Sequence, residues 1–425
     1  MDLLQFLDNS PCNFWAVDTI KKQLRQAGYR EQALDAPMQA EAGDCFYFTK
    51  NDSAIFAVKV GKKSPAETGF KIIAAHSDSP CFRVKPNAEI PGSGGIVRLN
   101  TEVYGGPILY TWFDRPLSLA GRVITRGGDA LHPVTRLLKI NRPLLSISHL
   151  AIHFNRQVNE GNKISAQKDM LPIIAKVNEQ LEADGMLVKL IASELQIDID
   201  EIIDFDLMLY DTQKACLFGL NNEFISSGRL DDLSMVHAAV TALLAGTDED
   251  ATCIAAIFDN EETGSGTKQG AHSPVLANVL KRLILALGGS PDDYFRTLAK
   301  TFMISADNAH AFHPNYAEKY DPTNRPALGS GPCIKVNARC KYMSDAHSAA
   351  IFSELCREAG VPVQYFVNHS DVPGGSTLGN ILTAQMDIEG VDVGNPLLAM
   401  HSVRETGSMA DHQAMIAVMT QFFNK

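Results

Sequence analysis

The sequence predicts an α/β protein whose mixed sheet is flanked by helices and interrupted by an inserted, β-rich domain. Three observations carry this reading. Strand-like apolar runs alternate with helical periodicity in both flanks of the chain, the pattern of a sheet covered by helices. Between about residues 86 and 215 that rhythm gives way to short β segments and turns. With 425 residues, the chain also exceeds what a single core normally spans, so two domains are expected. The sheet-and-helix part is assigned to 1–85 and 216–425, and the insert to 86–215.

Apolar residues at helical spacing predict a helix over Phe14 to Tyr29, ending near Gly28. Ala54 to Val60 and Phe70 to Ala75 read as strands. In the insert, Pro91-Gly-Ser-Gly-Gly is a loop. Ile96 to Leu99, Leu109 to Phe113 and Leu117 to Thr125 are short β segments. Helical stretches follow at Met170 to Glu182 and Leu187 to Glu194. From Ser227 the alternation resumes: helix Leu233 to Ala245, strand Thr252 to Phe258, helix Val275 to Leu287, strand Phe302 to Ser305. Ile334 to Asn337, His347 to Gly360 and Val363 to Val367 continue as strand, helix and strand. Ser408 is placed to cap a last helix running to Phe423.

Composition excludes several classes. Apolar residues make up 45% and charged residues 20%, ordinary for a globular protein. A net charge of −11 argues against nucleic acid or an anionic membrane as main partner. The N-terminus carries acid where a secretory leader carries Lys or Arg, and no apolar run approaches the ~20 residues that span a bilayer. The eight cysteines form no C-x-x-C pair and are expected as reduced core residues. A cytoplasmic location follows as an expectation.

The chemistry concentrates at predicted strand and helix ends. Asp259 to Gly266, Asp-Asn-Glu-Glu-Thr-Gly-Ser-Gly, follows the apolar run Thr252 to Phe258. Adjacent carboxylates repel, which raises one pKa unless a cation intervenes. One of Glu261 and Glu262 can then bind metal while the other takes a proton from water. His76 ends a strand, and Asp78, two residues on, can fix its tautomer. Asp231 and Asp232 precede a helix, where either alone would be an ordinary cap. Asp307 lies in Ser-Ala-Asp-Asn-Ala-His310, and His401 in Met-His-Ser-Val-Arg-Glu405. Each cluster has a structural explanation by itself. Together they place ligand-type residues along one edge of an α/β sheet, where ligands converge. His76, His401, Asp231, Glu262 and Asp307 suit two Zn²⁺ ions if one carboxylate bridges, which leaves Glu261 free as base.

The phrases AAHSDSP, AIHFNR, IIDFDLMLYDTQ, SGRLDD, DNEETGSG, SADNAHAFHPNY, IKVN and AMHSVRE resemble, in this order, the aspartyl aminopeptidase family of metallopeptidases. The resemblance covers nearly the whole chain. It implies a zinc-peptidase-like catalytic domain, a dimerisation insert, assembly into a homo-oligomer (a dodecamer), and removal of N-terminal Asp or Glu from peptides. It implies two zinc ions per subunit, with Mn²⁺ or Co²⁺ exchangeable, held by His76, Glu262, Asp307, His401 and a bridging Asp231. By the same resemblance Glu261 is the general base, and Asp78 orients His76. His153 is delivered by a neighbouring subunit to the developing oxyanion. Lys335 reads an acidic side chain with Tyr342 beside it, and His310 lines the substrate site. Asp232 stands where some relatives are expected to carry Asn. Without the resemblance, His153 reads as an ordinary strand histidine and Lys335 as a surface lysine.

Competing readings are a dinuclear aminopeptidase of broad or neutral specificity, and a scaffold or cargo protein that kept the fold without the chemistry. A serine hydrolase is disfavoured because no G-x-S-x-G elbow occurs, and a cysteine hydrolase because no cysteine has a partner histidine in a motif.

Overall fold

Two strands sit in the middle of the larger sheet and decide the rest of its layout. Phe70–His76 and Thr252–Phe258 are buried at every residue. Such strands read as continuous apolar runs, because both of their faces are covered. The computed structural model describes residues 1–176 and 185–425. Within these, the larger sheet has nine strands in the spatial order Arg30–Glu31, Cys45–Lys50, Ala54–Lys59, Thr252–Phe258, Phe70–His76, Phe302–Ala306, Glu389–Gly394, Cys333–Val336 and Gln364–Val367. Thr252–Phe258, Phe70–His76, Phe302–Ala306 and Glu389–Gly394 run parallel to their neighbours in this list. Ala54–Lys59 and Cys333–Val336 join them antiparallel. The sheet is therefore mixed, with helices on both faces.

Alternate residues of a strand supply the two layers. Ile73 and Ala75 pack with Leu233, Val236, Val240, Met415 and Phe422, from the helices Leu230–Ala245 and Met409–Phe423. Ile72 and Ala74 pack on the other side with Leu276, Val279, Leu280 and Leu283, from the helix Val275–Ala286. Each fully buried Leu or Ile contributes about 1.5–3 kcal/mol. This two-sided burial holds the carboxyl ends of the parallel strands level. His76 is the register partner of Phe258, and Ala306 is the partner of Val393. Asp259–Glu262 and Asp307 thus emerge beside His76. A Cβ on Gly394 would collide with the Asp307 carbonyl, so glycine is required where the chain passes that loop.

A second sheet has six strands, in the order Val134–Lys139, Leu117–Thr125, Ile202–Asp211, Cys81–Pro91, Ile96–Tyr104 and Ile173–Lys176. Its pairings are antiparallel. Its core gathers Phe82, Leu99, Trp112, Leu119, Val123, Leu138 and Leu207. A three-stranded ladder of Cys216–Phe218, Phe224–Ser227 and Glu405–Ser408 links chain segments far apart in sequence.

Several expectations change. Leu109–Trp112 is a 3₁₀ turn and not a strand; Phe113 beyond it bridges Ile147. The expected helix Met170 to Glu182 is replaced at Ile173–Lys176 by an edge strand on Ile96–Tyr104, and its residues 177–182 lie outside the described residues. Cys81–Pro91 is a continuous strand through Pro86, with a register shift between Val84 and Glu89 that accommodates the proline. Ser408 holds the N-cap position of the last helix without a side-chain cap bond. The eight cysteines are all free. Cys12, Cys253, Cys333 and Cys356 are buried as expected, whereas Cys216 and Cys340 are exposed.

One polar contact sits inside the helical layer. His237 Nδ1 lies 3.0 Å from His412 Nε2, and His237 Nε2 lies 3.1 Å from the Met1 carbonyl. His237 therefore donates to Met1 and accepts from His412, both rings neutral. His412 Nδ1 is buried without a partner among the described residues. Burial, and then the neighbouring His237, push His412 down to about 3, and burial also lowers His237. The unfolded chain takes these protons first, so the stability this pair contributes is complete above about pH 6.5 and is lost as pH falls below it. His412→Leu should flatten the pH dependence of the unfolding free energy between about pH 6.5 and 4, by up to about 1.4 kcal/mol per pH unit. Denaturant titrations at several pH values check this, and an unchanged slope contradicts the neutral pair.

Candidate metal centre

His76, Asp231, Glu262, Asp307 and His401 converge at the carboxyl edge of the parallel strands. His76 Nε2 lies 3.6 Å from Asp231 Oδ1 and 3.7 Å from Asp307 Oδ1. His401 Nε2 lies 3.5 Å from Asp231 Oδ2 and 3.3 Å from Glu262 Oε2. The two oxygens of Asp231 thus face two different histidines. Ligand atoms of His76, Asp231, Asp232 and Asp307 fall within 4.8 Å of one another, and so do those of Asp231, Glu262 and His401. A third group joins His76 to Glu261 and Glu262.

Both histidines are held in the same sense. His76 Nδ1 meets the Asp78 carbonyl at 3.1 Å, and His401 Nδ1 meets the Gly106 carbonyl at 3.0 Å. A carbonyl accepts only, so each ring keeps a proton on Nδ1 and directs Nε2 inward, where a metal ion would take the place of its second proton. Asp78 does more than was expected of it. Its Oδ1 accepts from the Glu261 amide, and its Oδ2 accepts from the Glu262 amide and the Tyr104 hydroxyl. It therefore holds the Glu261–Thr263 turn as well as His76. Asp232 is buried; it accepts from the His76 amide at 3.1 Å and from Asn308 Nδ2 at 3.0 Å. The Asp231–Asp232 peptide is cis.

The electrostatics show what the centre lacks. Burial, with repulsion from Asp231, drives the Glu262 carboxyl well above its usual range. Glu261 is pushed up to about 8, by burial first and then by Asp307, Asp78 and Asp231 against the pull of His76. Burial alone would lower His401, but Asp231 lifts it to about 9. His76 is likewise raised well above normal, as Asp232, Asp231 and Asp307 outweigh its burial. Protons are thus drawn to a site that has more carboxylate than cation. Among the described residues, Asp231 Oδ1 and Glu262 Oε1 are buried without a hydrogen-bond partner, and a buried polar atom left so costs about 1–3 kcal/mol. Nitrogen and oxygen donors without thiolate are the set that catalytic zinc takes. The residues present therefore fit metal cations.

Lys335 is buried, 3% exposed, and not on the surface. Its Nζ pairs with Asp307 Oδ2 at 3.0 Å and lies 5.5 Å from the centre of the Tyr342 ring. Asp307 is held well below the usual carboxylate range, Lys335 outweighing burial. His310 is exposed, with its ring 5.5 Å from that of Phe366. His153 is also exposed and belongs to none of the ligand groups among the described residues. It sits in a turn whose Leu150, Ile152 and Phe154 are 57%, 51% and 81% exposed. Sequence reasoning missed Glu405, Tyr104 and Asn308. Glu405 lay inside a quoted phrase, four residues from His401, but its partners are backbone amides that no side-chain pattern reveals.

Residues 6–423 match the model of the family described as Aminopeptidase I zinc metalloprotease (M18). A protein of Clostridium novyi named probable M18 family aminopeptidase 2 is 52% identical over 423 residues, covering 100% of this chain and 98% of its own. The chain also resembles one solved in the cryo-EM structure of the Ape4 and Nbr1 complex, with a TM-score of 0.95 and 36% identity, over 100% of this chain and 85% of that one. The S. cerevesiae mApe1 dodecamer gives a TM-score of 0.87 at 25% identity, over 99% and 95%. No helix among the described residues is long and apolar enough to cross a membrane.

Proposed function

The chain belongs to the M18 family of zinc aminopeptidases, and from that premise we propose that it removes N-terminal Asp and Glu from peptides at a dinuclear zinc centre. The observation that carries the dinuclear reading is Asp231, whose oxygens face His76 and His401 separately. In this reading His76 and Asp307 would hold one ion and Glu262 and His401 the other, with Asp231 placed to serve both. Zinc bound there supplies a Lewis acid for the scissile carbonyl and makes water acidic enough to attack near neutral pH.

The chain's own groups do the rest. Glu261 lies beside His76 and Glu262; its amide is held by Asp78, and its carboxylate takes the proton of the attacking water and returns it to the leaving amine. Asp78 keeps both glutamates and His76 in register. Lys335 offers a buried positive charge to the substrate's side-chain carboxylate, with Tyr342 against it and His310 along the substrate path. His153 donates to the developing oxyanion in the site of a neighbouring copy. Its exposed position in an apolar turn suits delivery across an interface. Residues 86–215 then form the dimerisation insert within a larger homo-oligomer, which the likeness to a dodecamer supports. The location assigned is the cytoplasm.

Glu261→Gln should keep both metals and lower kcat by about 10²–10⁴-fold, the usual contribution of a general base. Metal content and steady-state rates decide this, and retention of a tenth of the activity contradicts the assignment. Lys335→Leu should lose about 10- to 100-fold of the preference for Asp- over Leu-anilide substrates, about 1.4–2.8 kcal/mol. An unchanged preference favours broad specificity. Assemblies mixed from His153→Ala and Glu261→Gln subunits, each nearly inactive, should regain activity if His153 serves its neighbour. Confirmed mixing without recovery contradicts a shared site.

A further inference from the structure

We propose that Glu405 is a positioning residue that sets the separation of Asp231 and His401 by holding the backbone of both. This inference rests on the reading of those two residues as metal ligands. Glu405 is 2% exposed. Its Oε2 accepts from the Asp231 amide at 3.0 Å, and its Oε1 accepts from the His401 amide at 2.8 Å. Each carboxylate oxygen thus serves one ligand-bearing loop.

The ladder beneath explains why the clamp sits there. Phe224–Ser227 and Glu405–Ser408 pair antiparallel, and Ser227 is the register partner of Glu405. Beyond that last rung the two chains diverge. One passes through Gly228 and Arg229, in left-handed conformation with φ 61°, to Asp231. The other returns through Val403 to His401, with φ 68°. Neither left-handed residue is a glycine, so both conformations are held by their surroundings. A Cβ on Gly228 would lie 2.6 Å from the Val403 carbonyl, so the two chains are in close contact at the fork. Past the fork, among the described residues, Glu405 is the side chain that joins the Asp231 amide to the His401 amide.

On its far side the His401 loop is fastened to the second sheet. Ile108 donates to the His401 carbonyl, and Val403 donates to Thr111 Oγ1. Arg404 donates to the carbonyls of Gln213, Lys214 and Ser226. Most of these contacts fix the loop toward the insert; the bond to Ser226 reaches the strand that leads to Asp231, but not Asp231 itself. Glu405 supplies that tie with two hydrogen bonds, one accepted by each carboxylate oxygen. Glu405→Gln keeps the shape but turns one acceptor into an amide donor facing a backbone N–H. Loss of that bond loosens the spacing of the two loops, which acts toward weaker metal binding.

The experiment titrates the metal-free full chain with Co²⁺ and follows its visible absorption. In Glu405→Gln, one of the two equivalents should bind about 10–100-fold more weakly than in the wild type. Peptidase activity should recover at saturating zinc with KM unchanged, which a general structural lesion would not do. Two equivalents bound as tightly as in the wild type overturn the clamp. His401→Ala separates the premise from the inference: it should lose one equivalent outright, and if it keeps both, the ligand assignment falls and the clamp with it. Hydrogen exchange on the wild type needs no variant. The amides of Asp231 and His401 should be protected in the metal-free protein, and free exchange of both overturns the proposal even if Glu405→Gln fails to fold.

Discussion

Everything at the site depends on one electrostatic constraint: a group of buried carboxylates at the carboxyl edge of parallel strands has too few positive charges to balance it. Asp231, Asp232 and Glu405 are buried, and Asp307 nearly so. Burial in a low dielectric disfavours each charge, and close neighbours disfavour it further. Lys335 balances Asp307. The rest leans on histidines raised above their ordinary pKa, an arrangement that protons satisfy poorly and divalent cations satisfy well. The buried oxygens of Asp231 and Glu262 that have no hydrogen-bond partner among the described residues are placed to meet such cations.

The fold sustains this concentration of charge by spending apolar burial elsewhere. Two helical layers close over Phe70–His76 and Thr252–Phe258, and the strand register then delivers His76, Glu262 and Asp307 to one edge without help from flexible loops. Backbone amides do much of the fine positioning. Asp78 gathers those of Glu261 and Glu262, Asp232 takes that of His76, and Glu405 takes those of Asp231 and His401. Several candidate ligand side chains are in this way paired with one that holds their main chain.

What was legible in the sequence follows from the same division. The ligand-type residues stood out because acid and histidine at the ends of apolar runs are rare without a use. The central strands stood out because two-sided burial leaves an unbroken apolar run. The residues that hold the main chain did not stand out, since an Asp or Glu accepting from an amide looks like any other. Lys335 reads as a surface lysine until its pairing with Asp307 is seen. Leu109–Trp112 is apolar and aromatic enough to pass for a strand, but it packs as a 3₁₀ turn against the second sheet. Ile173–Lys176 is too short for its own period to tell strand from helix, and its pairing with Ile96–Tyr104 is a tertiary fact. His153 shows the limit in the other direction. Its role is read from resemblance, and within one chain the structure leaves it exposed, away from the ligands.

The most direct test of the central claim is anomalous diffraction at the zinc edge from crystals grown with zinc. A shared Asp231 requires two peaks, one in contact with Asp231 Oδ1, His76 and Asp307, the other with Asp231 Oδ2, His401 and Glu262. A single peak at full occupancy, or two peaks of which only one touches Asp231, would contradict the account.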